Sequence, residues 1–525
     1  MRNSVFAIAA ALAFGCATAR APQSEPPSAQ AERAGATSTA TAKETPPPAP
    51  DDPEKWRAQA PPPGKPPELV IPEFKKATLA NGLTVLVSEK HDLPIVSMAV
   101  AFSAGSAEDP KGKAGLADLT HKTLLEGAGK RDAIALDQAF ADLGGAPFVL
   151  TRPDGALMGT RVLRRNAGPA LALLADVALR PTLKPADFER RKQEHLRTLA
   201  QQTGTPGYLL QWAFTAAAYG PDHPYGSLTA GTPESVSGLT AADARTFWAT
   251  YSGPRAAALV VTGDVTLAEA KAWAEQYFGK WNGKGTRPPM PPQVKPGGKR
   301  QLVFVPKPGL VQTIIAMGRP AIESGHPDEA PLELASTVFG GFFGSRLNMN
   351  LREAKGYSYG AGAFVDARRG EGPLMASSSV RADVTAASVR EFLNELAGLK
   401  SKPITHEELE AAREGLIRSL PGTFATVEDL SRAAAGLFWE DKELDYYQKL
   451  AQQLESATAE QVQTVAEKYF EPSSLNVILV GDPDQVVKQV ESLGIGELVV
   501  RDPPASPPGR SPPAASRKTS ARARP

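Results

Sequence analysis

An internal duplication constrains the fold of this chain more than any other feature of its sequence. The segments that end in Gly263-Asp264 and Gly481-Asp482 are both typical of a buried strand preceded by a proline-containing turn, and they are related by a shift of 218 positions. The same shift returns near the start of each half, where the apolar run 83–87 matches the run 301–305. Self-similarity at a fixed offset is the sequence signature of a repeated structural unit. The sequence therefore predicts two homologous domains.

The two predicted domains share one order of elements: two strands, long helices, a strand pair, more helices and a last buried strand. Thr240 and Thr458 are each followed three residues later by a polar side chain, which indicates equivalent helix N-termini. Short strands beside long amphipathic helices favour an α+β fold, with a largely antiparallel sheet in each domain and helices packed on one face. We predict domains at 69–285 and 300–500, joined by a Pro/Gly-rich linker at 286–299.

The two ends of the chain have compositions that do not favour a folded core. Residues 1–16 combine a basic start with an apolar run too short to span a bilayer, and they end at Cys16, the only cysteine. This arrangement resembles a bacterial lipoprotein signal; the alternative is cleavage at the small residues that follow. Residues 17–68 and 501–525 predict a disordered tether and a disordered tail. We expect an exported lipoprotein that faces the periplasm, at the outer membrane.

Several classes of function have no support in the sequence. The formal net charge of +1 gives no electrostatic reason to expect a nucleic-acid partner. The segment Gly344-Ser-Arg does not fit the nucleophile elbow G-x-S-x-G, and the glycines at 340–344 are not followed by a P-loop lysine. The segment His406-Glu-Glu-Leu-Glu410 lacks the second histidine of H-E-x-x-H and is interpreted as the start of a helix.

The order of short motifs along both halves resembles the pitrilysin/insulinase family of zinc peptidases, in the branch of the mitochondrial processing peptidase. The motifs include Gly115-Leu-Ala, Leu143-Gly-Gly, His223-Pro-Tyr-Gly226 and Leu351-Arg-Glu-Ala-Lys-Gly-Tyr-Ser-Tyr359. The resemblance implies the two-domain α+β architecture. It also implies a zinc site built from an inverted motif, H-x-x-E-H, and a carboxylate on a later helix.

The zinc-site positions that the resemblance identifies do not carry the residues that zinc needs. Asp118, His121 and Lys122 stand in place of the two histidines and the glutamate, and Thr198 stands at the third-ligand position. A protonated lysine cannot ligate a cation and repels it. We therefore expect these to be degenerate positions and the chain to bind no metal, with zinc supplied by a partner subunit. The alternative is a rewired metal site that uses Asp118, His121 and the nearby Glu126, Glu194 and His195.

One pair of functional residues matches the family in the second half. By resemblance, Arg352 hydrogen-bonds the substrate backbone and Tyr359 stabilises the oxyanion of the tetrahedral intermediate. Fixed hydrogen-bond donors aimed at developing negative charge are a large source of catalysis in acyl transfer. The pair therefore predicts a chain that assists a reaction whose metal lies elsewhere.

These observations predict a non-catalytic, substrate-binding subunit of a two-chain zinc peptidase that acts on peptides or unfolded segments. The expected partners are a zinc-bearing catalytic homologue, in a heterodimer, and an extended peptide held along an edge strand. Contact with the membrane would be through the lipid anchor only. Two alternatives stay open: a structural or assembly protein on an inactive peptidase scaffold, and an autonomous metallopeptidase with an altered zinc site.

Overall fold

The computed structural model describes residues 69–294 and 300–505. The predicted signal with Cys16, the tether, most of the tail and residues 295–299 of the linker lie outside the described residues, so predictions about them stay predictions. Within the described ranges, no helix is long and apolar enough to cross a membrane.

The first half contains a run of strands and helices whose bounds follow in chain order. They are β1 (Lys75–Thr78), β2 (Thr84–Glu89), β3 (Ile95–Phe102), α1 (Leu116–Thr123), β4 (Gly127–Ala128), β5 (Arg131–Asp132), α2 (Ala133–Asp142), β6 (Phe148–Arg152), β7 (Gly155–Leu163), α3 (Ala167–Leu179), α4 (Pro185–Gln202), α5 (Pro206–Tyr219), α6 (Pro233–Ser237), α7 (Ala241–Tyr251), β8 (Ala257–Gly263) and α8 (Leu267–Phe278).

The second half repeats this pattern. Its elements are β9 (Leu302–Pro306), β10 (Gln312–Ile322), α9 (Glu329–Ser336), α10 (Arg346–Asn348), β11 (Ser358–Val365), β12 (Gly372–Arg381), α11 (Thr385–Ser401), α12 (His406–Ser419), α13 (Val427–Trp439), α14 (Tyr446–Ser456), α15 (Ala459–Tyr469), β13 (Asn476–Gly481), α16 (Pro483–Glu491) and β14 (Leu498–Val500). Two π-helical turns, Thr337–Gly341 and Met349–Ala354, flank α10.

Each half builds a six-stranded sheet of mixed but largely antiparallel pairing. The strand orders are β1-β2-β8-β3-β7-β6 and β11-β12-β10-β13-β9-β14. In both sheets the last long strand of the half lies between two strands from the start of that half, parallel to one and antiparallel to the other: β8 between β2 and β3, and β13 between β9 and β10. This shared topology confirms the predicted α+β class and accounts for the repeated Gly-Asp segments.

The first sheet is covered on both faces, and one cover comes from the other half. Side chains on one face, such as Val87 and Val100, pack against α2, α3 and α8. Side chains on the opposite face, such as Leu86 and Val260, pack against α13. The Thr262 hydroxyl anchors α13 by donating to the Val427 carbonyl at 2.6 Å.

The exchange of helices is reciprocal. Helix α5 of the first half packs on the second sheet, where Leu209, Ala213 and Phe214 contact Val303 and Ile478. The sequence predicted helices on one face of each sheet only, because the alanine-rich segments of α5 and α13 gave no sign of crossing to the other half. Each sheet therefore depends on a helix from the opposite half for its second apolar face.

Local helix signals behave as the sequence indicated. Thr240 and Asp243 form a capping box at α7, and Thr458 and Gln461 form one at the equivalent helix α15. Helix α12 begins at His406, which confirms the interpretation of that segment as a helix start. In a capping box two otherwise unpaired backbone amides are satisfied, so the equivalent helices begin at equivalent points.

Candidate functional site

The helix at the predicted zinc position, α1, begins at a glycine that nothing else could replace without strain. Gly115 has φ 94°, and a Cβ atom there would lie 2.9 Å from both the Ala230 oxygen and the Val236 Cγ2 atom. The Asp109 carboxylate accepts hydrogen bonds of 2.7 Å from the amides of Gly115 and Ala117. Both carboxyl oxygens of Asp109 thus satisfy amides at the start of the helix that have no partner within it, so the position of α1 is fixed from outside the helix.

The first and last zinc positions of α1 are joined to each other. The Lys122 ammonium donates to the Asp118 carboxylate at 2.6 Å, one helical turn away. Asp118 is buried, whereas the side chain of Lys122 is 41% exposed. In this arrangement the ammonium of Lys122 balances the charge of the carboxylate and would repel a metal ion placed beside it.

His121, at the position of the catalytic base, lies inside an aromatic pocket. It is 1% exposed, its ring stacks on Phe102 with centroids 6.1 Å apart, and Phe247 and Trp248 present their edges to it. The Thr151 hydroxyl lies 3.3 Å from its Nδ1 atom. Burial lowers the pKa of His121 to about 4, against the opposing charge of Asp118. The ring is therefore neutral at pH 7 and enclosed away from solvent.

Helix α4, which carries the third-ligand position, faces Asp118 through a different residue. The His195 Nε2 atom lies 3.9 Å from the Asp118 carboxylate and 2.8 Å from the Ala230 carbonyl. A carbonyl can only accept, so this nitrogen carries the proton and cannot coordinate a metal. Thr198 is exposed, and its hydroxyl donates to the Glu194 carbonyl at 3.2 Å within the same helix.

The remaining donors of the alternative rewired site are engaged in ion pairs. Glu126 is buried and is paired with both Arg190 and Arg191. Glu194 accepts from the same two arginines, at 3.1 and 2.9 Å. In the part of the chain that the structure describes, no group of three or more His, Cys, Asp or Glu side chains is arranged to hold a metal ion. The side chains at these positions do not fit a resident zinc.

The predicted substrate-binding pair lies on the second half. Arg352 is in a π-helical turn, with its guanidinium 4.8 Å from the centroid of the exposed Phe343 ring and 3.2 Å from the Glu353 carboxylate. It lines a surface pocket with Asn348 and residues of β11. Tyr359 lies on β11, the edge strand of the second sheet, and its side chain is 79% exposed. Its hydroxyl has no hydrogen-bond partner among the described residues.

Some features of the site region were not found from the sequence. The sequence indicates His195 only as a possible neighbour of Asp118, and it does not predict that Glu126, in the turn after α1, pairs with two arginines of α4. Glu126 follows the helix motif closely, and Arg190-Arg191 lies on the helix that the resemblance had already placed nearby. This contact could have been predicted from an acidic residue just after one helix and an arginine pair on another, because buried charges are usually paired.

The duplicated sheets, the exchanged helices and the altered helix α1 together define a two-domain peptidase scaffold without the zinc ligands of such an enzyme. Comparison with known proteins gives the family. The model for "Insulinase (Peptidase family M16)" matches residues 84–231, and the model for "Peptidase M16 inactive domain" matches residues 238–416. The chain belongs to the insulinase family, peptidase family M16, as a member without the H-x-x-E-H motif.

Relatives and solved structures agree with this assignment over most of the chain. An uncharacterized zinc protease of Mycobacterium tuberculosis is 25% identical over 398 residues, which are 75% of this chain and 90% of the relative. The zinc protease PqqE of Helicobacter pylori is 24% identical over 346 residues, or 65% of this chain and 78% of the relative.

Among crystal structures, a peptidase M16 inactive domain from Pseudomonas fluorescens is similar with a TM-score of 0.72 and 25% identity, covering 78% of this chain and 98% of that one. A protease from Helicobacter pylori matches with a TM-score of 0.74 and 20% identity, covering 78% of this chain and all of that one. A chain of complex III2 from Candida albicans has a TM-score of 0.69 and 14% identity, covering 80% and 99%. The fold is therefore common to proteins of different kinds.

Proposed function

We propose that this chain is the non-catalytic, substrate-binding subunit of a two-chain zinc peptidase. The observation that carries the proposal is the ion pair between Asp118 and Lys122, at the two positions where the family motif has histidines. The enclosed His121 adds to it, because a base without access to solvent cannot activate a water molecule on a substrate. The names of the relatives, several of which are called zinc proteases, suggest peptide chemistry as the context.

The second half keeps groups that suit substrate binding. The Tyr359 hydroxyl is exposed and unpaired among the described residues, and Arg352 presents five donors beside an exposed aromatic ring. Strand β11 lies at the edge of its sheet, and edge strands can pair with an extended peptide through backbone groups that no neighbouring strand uses. We expect the chain to close a chamber formed with a zinc-bearing homologue and to be held at the outer membrane through Cys16.

The proposal is tested first on the chain alone. The purified protein, equilibrated with zinc and then desalted, should retain no stoichiometric zinc by elemental analysis and should cleave no unfolded protein substrate. One zinc per chain, together with cleavage that a chelator abolishes, would instead support an autonomous peptidase and end the proposal.

The second test uses a complex with a zinc-bearing homologue that co-purifies. Tyr359→Phe should lower kcat by about 10²-fold, the size of effect seen when one oxyanion donor is removed, without weakening association. Tyr277→Phe, on α8 of the first half, is the matched control and should leave kcat unchanged. Equal activity of the Tyr359 variant and the control would contradict a role in the reaction.

A structural or assembly role is the second candidate. The observation that favours it is the fold similarity to a chain of complex III2 of Candida albicans, which is not named as a peptidase. In that case a partner should co-purify with the chain, and Tyr359→Phe should change neither its association nor any activity of the complex. The chain should contribute no zinc to the complex.

A further inference from the structure

A cavity lies between the second half and the edge strand β6 of the first half, where Leu150 and Arg152 line it on either side of Thr151, the neighbour of His121. It has a volume of about 140 Å³, which gives room for several water molecules or one small organic group, and it shares no lining residue with the Arg352 pocket. Its walls come from α9, the loop after β11, the turn before α13, α13 itself, the loop after α13, and α14. Its charged and aromatic lining residues are Arg152, Glu329, Glu333, Asp366, Asp429, Arg432, Trp439, Glu440, Lys442, Tyr446 and Tyr447.

Four of the five carboxylates in this lining already have partners. Asp366 accepts from Arg368 at 2.7 Å and lies 3.7 Å from Arg152. Asp429 pairs with Arg432 at 2.7 Å. Acceptors and donors are therefore matched on the side of the cavity formed by α13 and the loop after β11.

The other two paired carboxylates lie around a lysine of the chain itself. Lys442 donates to Glu440 at 2.9 Å, lies 3.8 Å from Glu329, and places its ammonium 3.5 Å from the centroid of the Tyr446 ring. The Tyr446 hydroxyl donates to Glu329 at 2.7 Å. Carboxylates combined with an aromatic face are the groups that hold an ammonium ion, and here they do so within the protein.

Glu333, on α9, is the carboxylate that remains. Among the described residues it has no hydrogen bond and no ion pair, although its side chain lines the cavity. Burial raises its pKa to about 8, and the charges of Glu329 and Asp366 act in the same direction. Glu333 is half-buried, so its carboxylate is the one acceptor of this otherwise paired wall that stays open to a ligand in the cavity.

Two further lining residues carry unsatisfied polar atoms. Thr423 is 8% exposed and its hydroxyl has no partner, and Trp439 is 6% exposed with an unpaired indole N–H. These atoms are independent of the acidic residues. Native proteins leave few buried polar groups unpaired, so each of these two atoms calls for a partner.

We propose that this cavity binds an organic cation, a primary ammonium or guanidinium group, with the Glu333 carboxylate as its counter-ion. Five carboxylates face three basic side chains in the lining, which favours a cation over an anion. The described residues provide no set of three metal-ligating side chains, which favours an organic cation over a metal ion. The cation could belong to a free amine or to a lysine or arginine side chain of a peptide, and the chemistry of recognition is the same. The site needs no zinc-bearing partner, so the test of this proposal is independent of the test of the function proposed above.

The test is calorimetric titration of the full chain with cadaverine, and with two otherwise identical peptides that carry either lysine or uncharged norleucine at one position. Binding of cadaverine, or a preference of at least tenfold for the lysine peptide, is expected. The first result identifies a free amine as the source of the cation and the second a peptide side chain. Glu333→Gln should weaken the observed binding at least tenfold. The matched control Glu455→Gln removes an exposed carboxylate at the end of α14 and should leave binding unchanged.

A second variant is needed in case Glu333→Gln changes the folding of the chain as well as binding. A Cβ atom at Gly436, on the α13 wall, would meet only the Tyr447 hydroxyl, at 3.8 Å. Gly436→Leu should therefore fill part of the cavity, keep the melting temperature near that of the wild type and reduce binding at least tenfold. The proposal is overturned if no amine or lysine peptide binds, or if binding persists unchanged in both Glu333→Gln and Gly436→Leu.

Discussion

The buried imidazole of His121 makes a prediction that can be worked out quantitatively. His121 is enclosed by Phe102, Phe247 and Trp248, and burial lowers its pKa from an ordinary value of 6.5 to about 4. In the unfolded chain the same ring takes up a proton as the pH falls through 6.5. The native state therefore binds fewer protons than the unfolded state between pH 6.5 and 4, and its stability falls as the pH is lowered through this window.

The magnitude follows from the difference between the two pKa values. Each pKa unit is worth about 1.4 kcal/mol, so a difference of about 2.5 units removes roughly 3 kcal/mol of unfolding free energy between pH 6.5 and pH 4. His121→Leu removes the titration and keeps an apolar side chain of similar size in an aromatic pocket. It should lie within about 1 kcal/mol of the wild type at pH 7.5, because the contact with Thr151 that it loses is long.

The assay compares urea unfolding of the wild type and of His121→Leu at several pH values between 7.5 and 4.5. All other groups titrate in both proteins, so the difference in unfolding free energy isolates His121. We expect the variant to gain about 1.4 kcal/mol relative to the wild type for each pH unit below 6.5. Nuclear magnetic resonance of labelled histidines gives a direct check, since one ring should stay neutral down to about pH 5 and its signals should be absent in the variant. A stability difference that does not change with pH would refute the assignment of a buried, neutral ring.

Three further predictions follow from the described contacts. The raised pKa of Glu333 makes its ionisation costly in the native state. Glu333→Gln should therefore be more stable than the wild type above pH 8, by up to about 5 kcal/mol, and this gain should disappear below pH 4.5. Urea unfolding at pH 5 and pH 9 measures the difference. Cadaverine should bind the wild type more tightly at pH 8.5 than at pH 6.5, because Glu333 must lose its proton to bind a cation, and calorimetry at both values should show no such trend in Glu333→Gln. Gly155→Ala should destabilise the fold by about 1–3 kcal/mol in thermal unfolding, because the added methyl group would overlap the indole of Trp439. Gly207→Ala is the control: no atom lies within 4 Å of its new methyl group, so it should be neutral or stabilising.

Much of the fold was accessible from the sequence because the duplication supplied an internal comparison. The buried strand ending at Gly263 and its copy ending at Gly481 occupy equivalent places in the two sheets, as the repeated pattern predicted. The apolar run 83–87, which the duplication matched to 301–305, lies mostly within β2, and its copy lies mostly within β9. Both signals are local, since they depend on side-chain alternation and on turn residues within a few positions.

The exchange of α5 and α13 was not accessible, and the reason is physical. An apolar helix face shows that a helix is buried, but it does not show which sheet buries it. Both helices are rich in alanine, which packs closely on any flat apolar surface, so Ala213 and Ala434 carry no information on their partner. The cavity around Glu333 could not be predicted from the sequence either, because its walls come from segments that lie far apart in the chain.

The candidate site shows how a helix can keep its position when its zinc ligands are replaced. In a zinc site of this type the metal joins the two helices that carry its ligands. Here α1 and α4 are joined by charged side chains instead: Glu126 with two arginines of α4 at one end, and Asp118 near His195 at the other. Lys122 then supplies the positive charge that Asp118 would otherwise lack. Because these contacts hold the helix pair without a metal, the scaffold can keep its shape, and with it the surface of Arg352 and Tyr359, with no zinc at these positions. The subunit proposed above, which would serve a catalytic partner, requires this property.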